Sequence, residues 1–563
     1  MLILGLADNH DAGAALVQDG RLVAACGQER VDRVKNSGAF PWGAIDAVLD
    51  QVGARYRDVD RVVFGTAFTP SWLLRRFPDL HHRRKAEGGQ FDPLLNLYVA
   101  YQVGLRRTGL YQLEVTANQR LLAARMLERG FTSANVELMD HHEAHAHAAY
   151  RSQPHPTCLV LTVDAMGDGL SCTASVGTVG QLNREWAQSG FAAVNTYYSR
   201  VTEVLGFKPN RHEGKITGLA AYAPAPPELV EHFGRQLRFV GPGFNRENYL
   251  QRQAPDDNFY GRLKDFSREQ VAAALQVNLE RAVTALVRYW VDRTGVRDVA
   301  VCGGVFANVK LNQRIAQMEE VDSLWVFPNM GDGGLAMGAA MGAAGLPPHA
   351  LEGMTLGPAY TRTQISRELH IAKLPAARPS DLADRVAALL ADGKVVARFD
   401  GAMEFGPRAL GNRTVLVSPT DPSVNDWLNQ RLQRSEFMPF APVVLAEDAP
   451  RLFKGVEKAA QSARFMTVCF DCTDAMKRLA PGCVHVDGTA RPQIVHPGEN
   501  PGYAAILRAF RDRTGVPALI NTSFNMHEEP IVCSPYDAIR AWKQAKLDAL
   551  VVGEFLVERE EAR

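Results

Sequence analysis

The chain has no surplus of either charge: 62 Lys and Arg residues stand against 62 Asp and Glu residues in a length of 563. That balance argues against a surface dedicated to nucleic acid or to an anionic membrane, because both require a cationic excess. Long apolar runs are also lacking, and a bilayer span takes about 20 such residues. The opening Met1-Leu2-Ile3-Leu4-Gly5-Leu6-Ala7 is broken at once by Asp8 and reads as a strand, so a cytoplasmic protein without a membrane partner is expected. Nor is there a cysteine framework. The 8 cysteines are scattered, and Cys469-Phe470-Asp471-Cys472 is a lone C-x-x-C with no second pair, which gives a structural zinc or a disulfide scaffold little support. The length exceeds one hydrophobic core and predicts two or three domains.

What the chain does have is locally dense histidine. In His141-His142-Glu143-Ala144-His145-Ala146-His147, His141 and His145 stand at i, i+4, where a helix presents both rings on one face. Two imidazoles make half a metal site, and aspartates at strand ends offer the rest. The β-branched run Cys158-Leu159-Val160-Leu161-Thr162-Val163 ends in Asp164 and then in the turn Gly167-Asp168-Gly169. Further on, Val326-Phe327-Pro328 leads through Asn329-Met330-Gly331 to Asp332-Gly333-Gly334, which puts Asp332 at a helix entrance. Each aspartate alone is an ordinary turn residue. Together with the histidines they form a His2Asp2 set suited to ferrous iron, manganese or zinc.

Two segments repeat one plan. From Leu2 to Arg30 the pattern reads strand, polar turn Asp8-Asn9-His10-Asp11, strand Ala12 to Val17, hairpin turn Asp19-Gly20, strand Leu22 to Ala25; residues 158 to 187 repeat it. Paired hairpin-start units of this kind predict a duplicated ribonuclease-H-like fold of the actin and hexokinase type, which grips nucleotide phosphates between its halves. Helical patterns at 264–295 and after Asn308 cover the sheets, and a glycine turn, Cys302-Gly303-Gly304-Val305, follows the strand Asp298 to Val301. A new unit starts after the Pro/Gly-rich stretch at Gly353 to Ala359, with a helix at Ser380 to Asp392 and a strand at Val395 to Phe399. The basic run His81-His82-Arg83-Arg84-Lys85 reads as a solvated loop or as a route for an anionic substrate.

The strings Asp8-Asn9-His10-Asp11-Ala12, His141-His142-Glu143-Ala144-His145-Ala146, His212-Glu213-Gly214-Lys215-Ile216-Thr217-Gly218, Gly303-Gly304-Val305, Glu404-Phe405-Gly406-Pro407-Arg408-Ala409-Leu410-Gly411-Asn412-Arg413 and Asn521-Thr522-Ser523-Phe524-Asn525 occur in this order over nearly the whole chain. In them the sequence resembles the O-carbamoyltransferases of antibiotic, nodulation-factor and polysaccharide biosynthesis. The resemblance implies an α/β protein: a duplicated ribonuclease-H-like domain over residues 1–352, similar to the tRNA threonylcarbamoyladenosine transferase, and an α+β domain over 353–563, similar to the partner that makes the threonylcarbamoyl adenylate. It implies that carbamoyl phosphate is hydrolysed to carbamate, that carbamate condenses with ATP to carbamoyl adenylate and pyrophosphate, and that the carbamoyl group then passes to a hydroxyl-bearing acceptor.

Roles follow from the matching positions. His141, His145, Asp164 and Asp332 match the metal ligands, with ferrous iron the expected ion and Mg2+ a companion of ATP. His10 matches the general base, its ordinary pKa of about 6.5 suiting neutral pH. Asp8 and Asp11 orient it, bind the acceptor or cap the turn, and Lys215 is a phosphate or acceptor contact or a structural salt bridge. Gly167, Asp168, Gly303, Gly304 and Asn308 are expected on the nucleotide. Arg408, Arg413, Arg434 and Arg491 supply the guanidinium forks for carbamoyl phosphate and triphosphate. Asn521, Ser523 and Asn525, in a polar turn after the strand Ala518-Leu519-Ile520, finish that pocket. A homodimer is compatible with this reading.

One segment departs from the family pattern. Gln433-Arg434-Ser435-Glu436-Phe437-Met438-Pro439-Phe440-Ala441-Pro442 has Met438 where an arginine is usual and no clear match for a lysine. Either Arg434 compensates or the donor differs, which leaves another ATP-dependent acyl-transferring or amide-forming enzyme on the same scaffold as the rival reading. A non-catalytic binding protein has no need of the ligands and base together. The acceptor-facing stretches 66–110 and 195–211 carry no readable motif.

Overall fold

The computed structural model of the protein describes residues 1–77, 93–132, 135–246, 258–433 and 437–559. The basic run at 81–85 and Arg434 lie outside the described residues. The chain divides into two compact units, one of Met1–Ala24 with Gly38–Leu351 and the other of Ala25–Ser37 with Glu352–Arg563. The sequence suggests a single cut near 352, with no sign that Ala25–Ser37 joins the second unit. Side chains far away in sequence hold it there: Arg30 donates to the carbonyl of Gly406 at 2.7 Å, and Arg33 donates to those of Pro530 at 2.8 Å and Ile531 at 2.7 Å.

The first unit contains two five-stranded sheets. One uses β1 (Leu2–Ala7), β2 (Gly13–Gln18), β3 (Arg21–Gly27), β4 (Arg61–Phe64) and β5 (Val136–Leu138) in the order β3-β2-β1-β4-β5. The other uses β6 (Thr157–Gly167), β7 (Leu170–Thr178) and β8 (Gln181–Ser189), then, past a separate ribbon of β9 (Leu237–Val240) and β10 (Gly243–Arg246), β11 (Asp298–Cys302) and β12 (Ser323–Val326), in the order β12-β11-β6-β7-β8. In both sheets the first strand pairs antiparallel with the second and parallel with the fourth, and the fourth pairs parallel with the fifth. The expected repeat is therefore a repeat of topology as well as of pattern. Asp19-Gly20 and Val179-Gly180 make the hairpin turns with φ of 48°, 78°, 47° and 85°, the doubly positive geometry that matches the twist of the strands.

One helix brings the histidines to these strands, and a second packs against it. His141–Arg151 starts at Asp140, whose side chain accepts from the amides of His142 at 3.1 Å and Glu143 at 3.2 Å, a cap worth about 1 kcal/mol. Arg106 at 2.6 Å and Arg184 at 2.7 Å brace the same carboxylate. Nearly every residue of this helix is buried, which the small side chains Ala144, Ala146, Ala148 and Ala149 permit. It packs on Leu335–Ala343 so tightly that a Cβ on Gly338 would come within 1.9 Å of the Ala144 carbonyl. Only glycine fits there.

The second unit is a seven-stranded mixed sheet with helices. Its strands are β13 (Val396–Phe399), β14 (Arg413–Val417), β15 (Ala441–Leu445), β19 (Gln493–Val495), β20 (Ala518–Ser523), β21 (Ala549–Val552) and β22 (Phe555–Glu558), in the order β19-β15-β20-β14-β13-β21-β22. A small sheet of β16 (Phe453–Lys454), β17 (Phe470–Cys472) and β18 (Thr489–Ala490) accompanies it. Val386 and Leu390 from helix Leu382–Ala391 and Leu507 and Phe510 from helix Pro501–Thr514 share a core with Val396, Leu416, Leu519 and Val551 of the sheet. β20 runs past Ile520 to Ser523, so Asn521 and Ser523 are strand residues; of the three expected turn residues only Asn525 lies beyond it.

Candidate metal centre and active site

His141, His145, Asp164 and Asp332 converge in the first unit, all four buried, with one ligand atom of each within 4.8 Å of every other. Asp164 Oδ2 lies 3.2 Å from Nε2 of both histidines, and Asp332 Oδ1 lies 3.6 Å from the same two nitrogens. Ligands bonded at about 2.1 Å to one transition-metal ion sit roughly 3.0–3.4 Å apart, so the spacing fits a shared divalent cation. The charge fits as well. Two neutral imidazoles and two carboxylates sum to minus two, and such a buried set calls for a cation.

In the metal-free state protons play that part. Burial raises the Asp164 carboxyl, but hydrogen bonds and charge from His141 and His145 outweigh it and hold the group well below the usual carboxylate range. Burial lowers His145, yet Cys302, Asp164 and Asp332 drive it well above the ordinary histidine value. His142, turned away onto the Thr162 hydroxyl at 2.7 Å, behaves oppositely: burial, then the neighbouring His141 and His145, push it down to about 3 and keep it neutral.

Residues not expected in this role hold the ligands in place, among them Gly304 and Gly167, which the sequence assigns to the nucleotide. The second oxygen of Asp164 accepts from Asn195 Nδ2 at 2.9 Å and from the amides of Ala165 at 2.7 Å and Gly304 at 3.2 Å. Asp332 Oδ2 accepts from Asn9 Nδ2 at 2.7 Å. The ring of His141 lies so close over Gly167 that a Cβ there would meet it at 2.0 Å. Asn9 stands beside the predicted base, which was a usable signal; Asn195 has no spacing that marks it.

His10 sits at the edge of the cluster with 39% of its side chain exposed, its Nδ1 3.4 Å from Asp332 Oδ2 and its Nε2 3.6 Å from Asp11 Oδ2. Burial lowers its pKa, but Asp332, Asp11 and Asp164 more than offset this and raise it. Asp8 does not orient it. Both Asp8 oxygens are taken by Arg75, at 2.8 and 2.9 Å, with Thr66 beside them.

Several predicted ligand contacts are engaged in holding the fold instead. Asp168 is fully buried and accepts from the amides of Ala67, Phe68 and His141 at 2.8, 2.8 and 2.9 Å, which leaves a phosphate nothing to gain from it. Asn308 caps helix Val309–Ala316 through the Leu311 amide and bonds to Gln276. Gly303, at φ 107°, abuts the Val163 backbone, and the Gly304 amide goes to Asp164. Arg413 is wholly buried over the Phe399 ring, 3.7 Å from its centroid, and donates to the carbonyls of Asp400, Asn412, Gly401 and Pro358. Asn521 Nδ2 serves Ala409 O and Gln493, its oxygen accepts from Thr414, and Asn525 Nδ2 serves the carbonyls of Met526 and Glu529. Lys215 is buried on helix Glu213–Leu219, whereas Arg408, Arg491 and Ser523 are half-buried.

Residues 2–341 match the family described as Carbamoyltransferase N-terminus, and 387–559 match Carbamoyltransferase C-terminus. Nodulation protein NolNO of Sinorhizobium fredii is 30% identical over 98% of this chain and 79% of its own length. Nodulation protein NolO of Bradyrhizobium diazoefficiens is 34% identical over 75% of this chain and 79% of its own. Among solved structures, T. kodakarensis HypF is similar at 14% identity over 61% of this chain and 47% of that one, with a TM-score of 0.32. No described helix is long and apolar enough to cross a membrane.

Proposed function

The chain belongs to the carbamoyltransferase family, and from that premise we propose that it couples ATP to the transfer of a carbamoyl group onto a hydroxyl of a small-molecule or glycan acceptor. In this reading the second unit hydrolyses carbamoyl phosphate to carbamate and joins it to ATP as carbamoyl adenylate, releasing pyrophosphate. The first unit then carries out the transfer, its paired sheets serving as a duplicated ribonuclease-H-like domain. The observation that carries the reading is the convergence of two imidazoles and two carboxylates at 3.2–3.6 Å, with His10 against one of the carboxylates.

His141, His145, Asp164 and Asp332 would hold a divalent cation, ferrous iron in our reading. Bound there, it stabilises the negative charge that develops on the departing phosphate. His10 Nε2 takes the proton of the acceptor hydroxyl while Nδ1 leans on Asp332, and Asp332 and Asp11 steady the imidazolium that results. Arg408 and Arg491 bind the anionic groups of donor and nucleotide, whereas Arg413 shapes the turn that carries Arg408. Mg2+ accompanies ATP.

Incubation with ATP, carbamoyl phosphate and a panel of alcohols is the test. We expect pyrophosphate release that depends on carbamoyl phosphate, followed by AMP and a carbamoylated alcohol. Protein that binds ATP yet releases no pyrophosphate in response to carbamoyl phosphate would exclude this donor and leave the carbamoyl group to come from another.

A further inference from the structure

The two histidines of the cluster are held differently. His141 Nδ1 is buried with no hydrogen-bond partner, whereas His145 Nδ1 lies 3.2 Å from the Sγ of Cys302. That sulfur is in turn 3.3 Å from the carbonyl oxygen of Met330, which also accepts from the Gly303 amide at 2.7 Å. A carbonyl only accepts, so the thiol proton points at Met330. The sulfur lone pairs are then left to accept from Nδ1–H of His145. With the proton fixed on Nδ1, the neutral ring carries its lone pair on Nε2, the atom that faces Asp164 and Asp332.

We propose that Cys302 is a positioning residue for metal loading: it sets the tautomer and the angle of His145 without being a ligand itself. The inference rests on reading the four-residue cluster as a metal centre. One turn then serves two ligands, because Cys302 holds His145 while Gly304, two residues on, donates its amide to Asp164. The chain uses a thiol where a metal-bound histidine usually meets a carboxylate or a carbonyl. A thiol is a weak acceptor, and it keeps the buried turn free of a further negative charge.

The test is titration of metal-free protein with Co2+, whose absorption reports both affinity and ligand type, on the wild type, Cys302→Ala, Cys302→Ser and His145→Ala. Alanine and serine leave nearly the same gap in packing and differ in the hydroxyl, so the contrast between them reads the hydrogen bond and not the lost volume. We expect Cys302→Ala to weaken Co2+ binding about 10- to 100-fold, the range for outer partners of metal ligands, with metal-free thermal stability close to that of Cys302→Ser. Cys302→Ser should recover most of the affinity, His145→Ala should lose it, and bound wild type should show no sulfur-to-cobalt charge-transfer band. Equal affinities for wild type, alanine and serine would overturn the role of Cys302 alone. A charge-transfer band that vanishes in Cys302→Ala would overturn it by making the thiolate a ligand. Wild type that binds no Co2+ would remove the metal centre and this inference with it.

Discussion

Asp8 and Asp164 occupy the same place in two sheets of the same strand order. Asp8 follows the last pair of β1, Ala7 with Gly13, and Asp164 follows the last regular pair of β6, Val163 with Cys172, before a bulge. Both carboxylates are buried, and a buried carboxylate must be compensated by hydrogen bonds, a proton or a cation. Beside the first sheet the compensating cation is a side chain of the protein: Arg75, on the helix Trp72–Arg76, grips Asp8 through two nitrogens with both side chains almost wholly enclosed. Beside the second sheet Asp164 meets two imidazoles from the helix His141–Arg151, whose protons a metal can displace. One position in a repeated topology is thus a permanent brace in one sheet and an exchangeable site in the other. The brace anchors the start of the loop that presents Asn9 and His10 to the exchangeable site.

The largest effect expected from this contrast is on His145→Ala. The variant should lose its bound metal and its carbamoyl transfer while still releasing pyrophosphate from ATP and carbamoyl phosphate; elemental analysis and a pyrophosphate assay check the two halves. His10→Asn should lower kcat about 10²- to 10⁴-fold, as loss of a general base does, with metal content and acceptor KM little changed. A collapse in acceptor affinity with kcat preserved would make His10 a binding residue.

Arg75→Met sharpens the comparison from the other side. It strands Asp8 as an uncompensated buried charge, which typically costs about 3–5 kcal/mol, and chemical denaturation should show the loss with or without metal. If the variant keeps wild-type stability, Asp8 is not braced in the sense described. Asp164→Asn should instead lose the stabilisation that added metal confers.

Acidity separates the two sites further. Metal needs the lone pair of His145, whose pKa in the metal-free protein is raised well above the usual value, so affinity should climb with pH through neutrality and beyond, by up to about tenfold per unit for each proton displaced. Without metal the stability terms run in opposite directions. The contribution of the His145 proton is complete below about pH 6.5 and fades as pH rises through the raised value, whereas that of Asp164 is present above about pH 3.9 and is lost as pH falls toward its depressed value. Denaturation of metal-free protein across that range checks both. Smallest is Asp168→Asn, which turns one of two accepting oxygens into a donor facing backbone amides and should cost about 1–3 kcal/mol on thermal unfolding.

Much of the first unit was legible because local chemistry decides it. The i, i+4 histidines do fall on a helix face and Asp332 does enter a helix, whereas β6 does not stop at Asp164 as expected but continues through a bulge to Gly167. The hairpin turns fall at Gly20 and at Gly180, as expected from glycines that take positive φ without strain, whereas Val179, a β-branched residue, shares the second turn at φ 47° and carries no such signal. What escaped were partners set by the fold: Arg75 meets Asp8 across 67 residues and Cys302 meets His145 across 157. Arg413 shows a different limit. A guanidinium donates in the same way to phosphate and to backbone carbonyls, and the sequence around it does not say that burial on β14 commits it to carbonyls. Asn521 likewise reads as a turn residue until the strand is seen to continue through it.

The central claim, that the bulge of β6 at Asp164 is an exchangeable cation site while Asp8 at the end of β1 is a fixed brace, is tested most directly by anomalous diffraction at the iron edge from crystals of protein loaded with ferrous iron. The account predicts one strong peak in the first unit, bonded to His141 Nε2, His145 Nε2, Asp164 and Asp332, with Arg75 still on Asp8. Iron bound elsewhere in the unit, or a loaded protein with no peak among these four side chains, would contradict it.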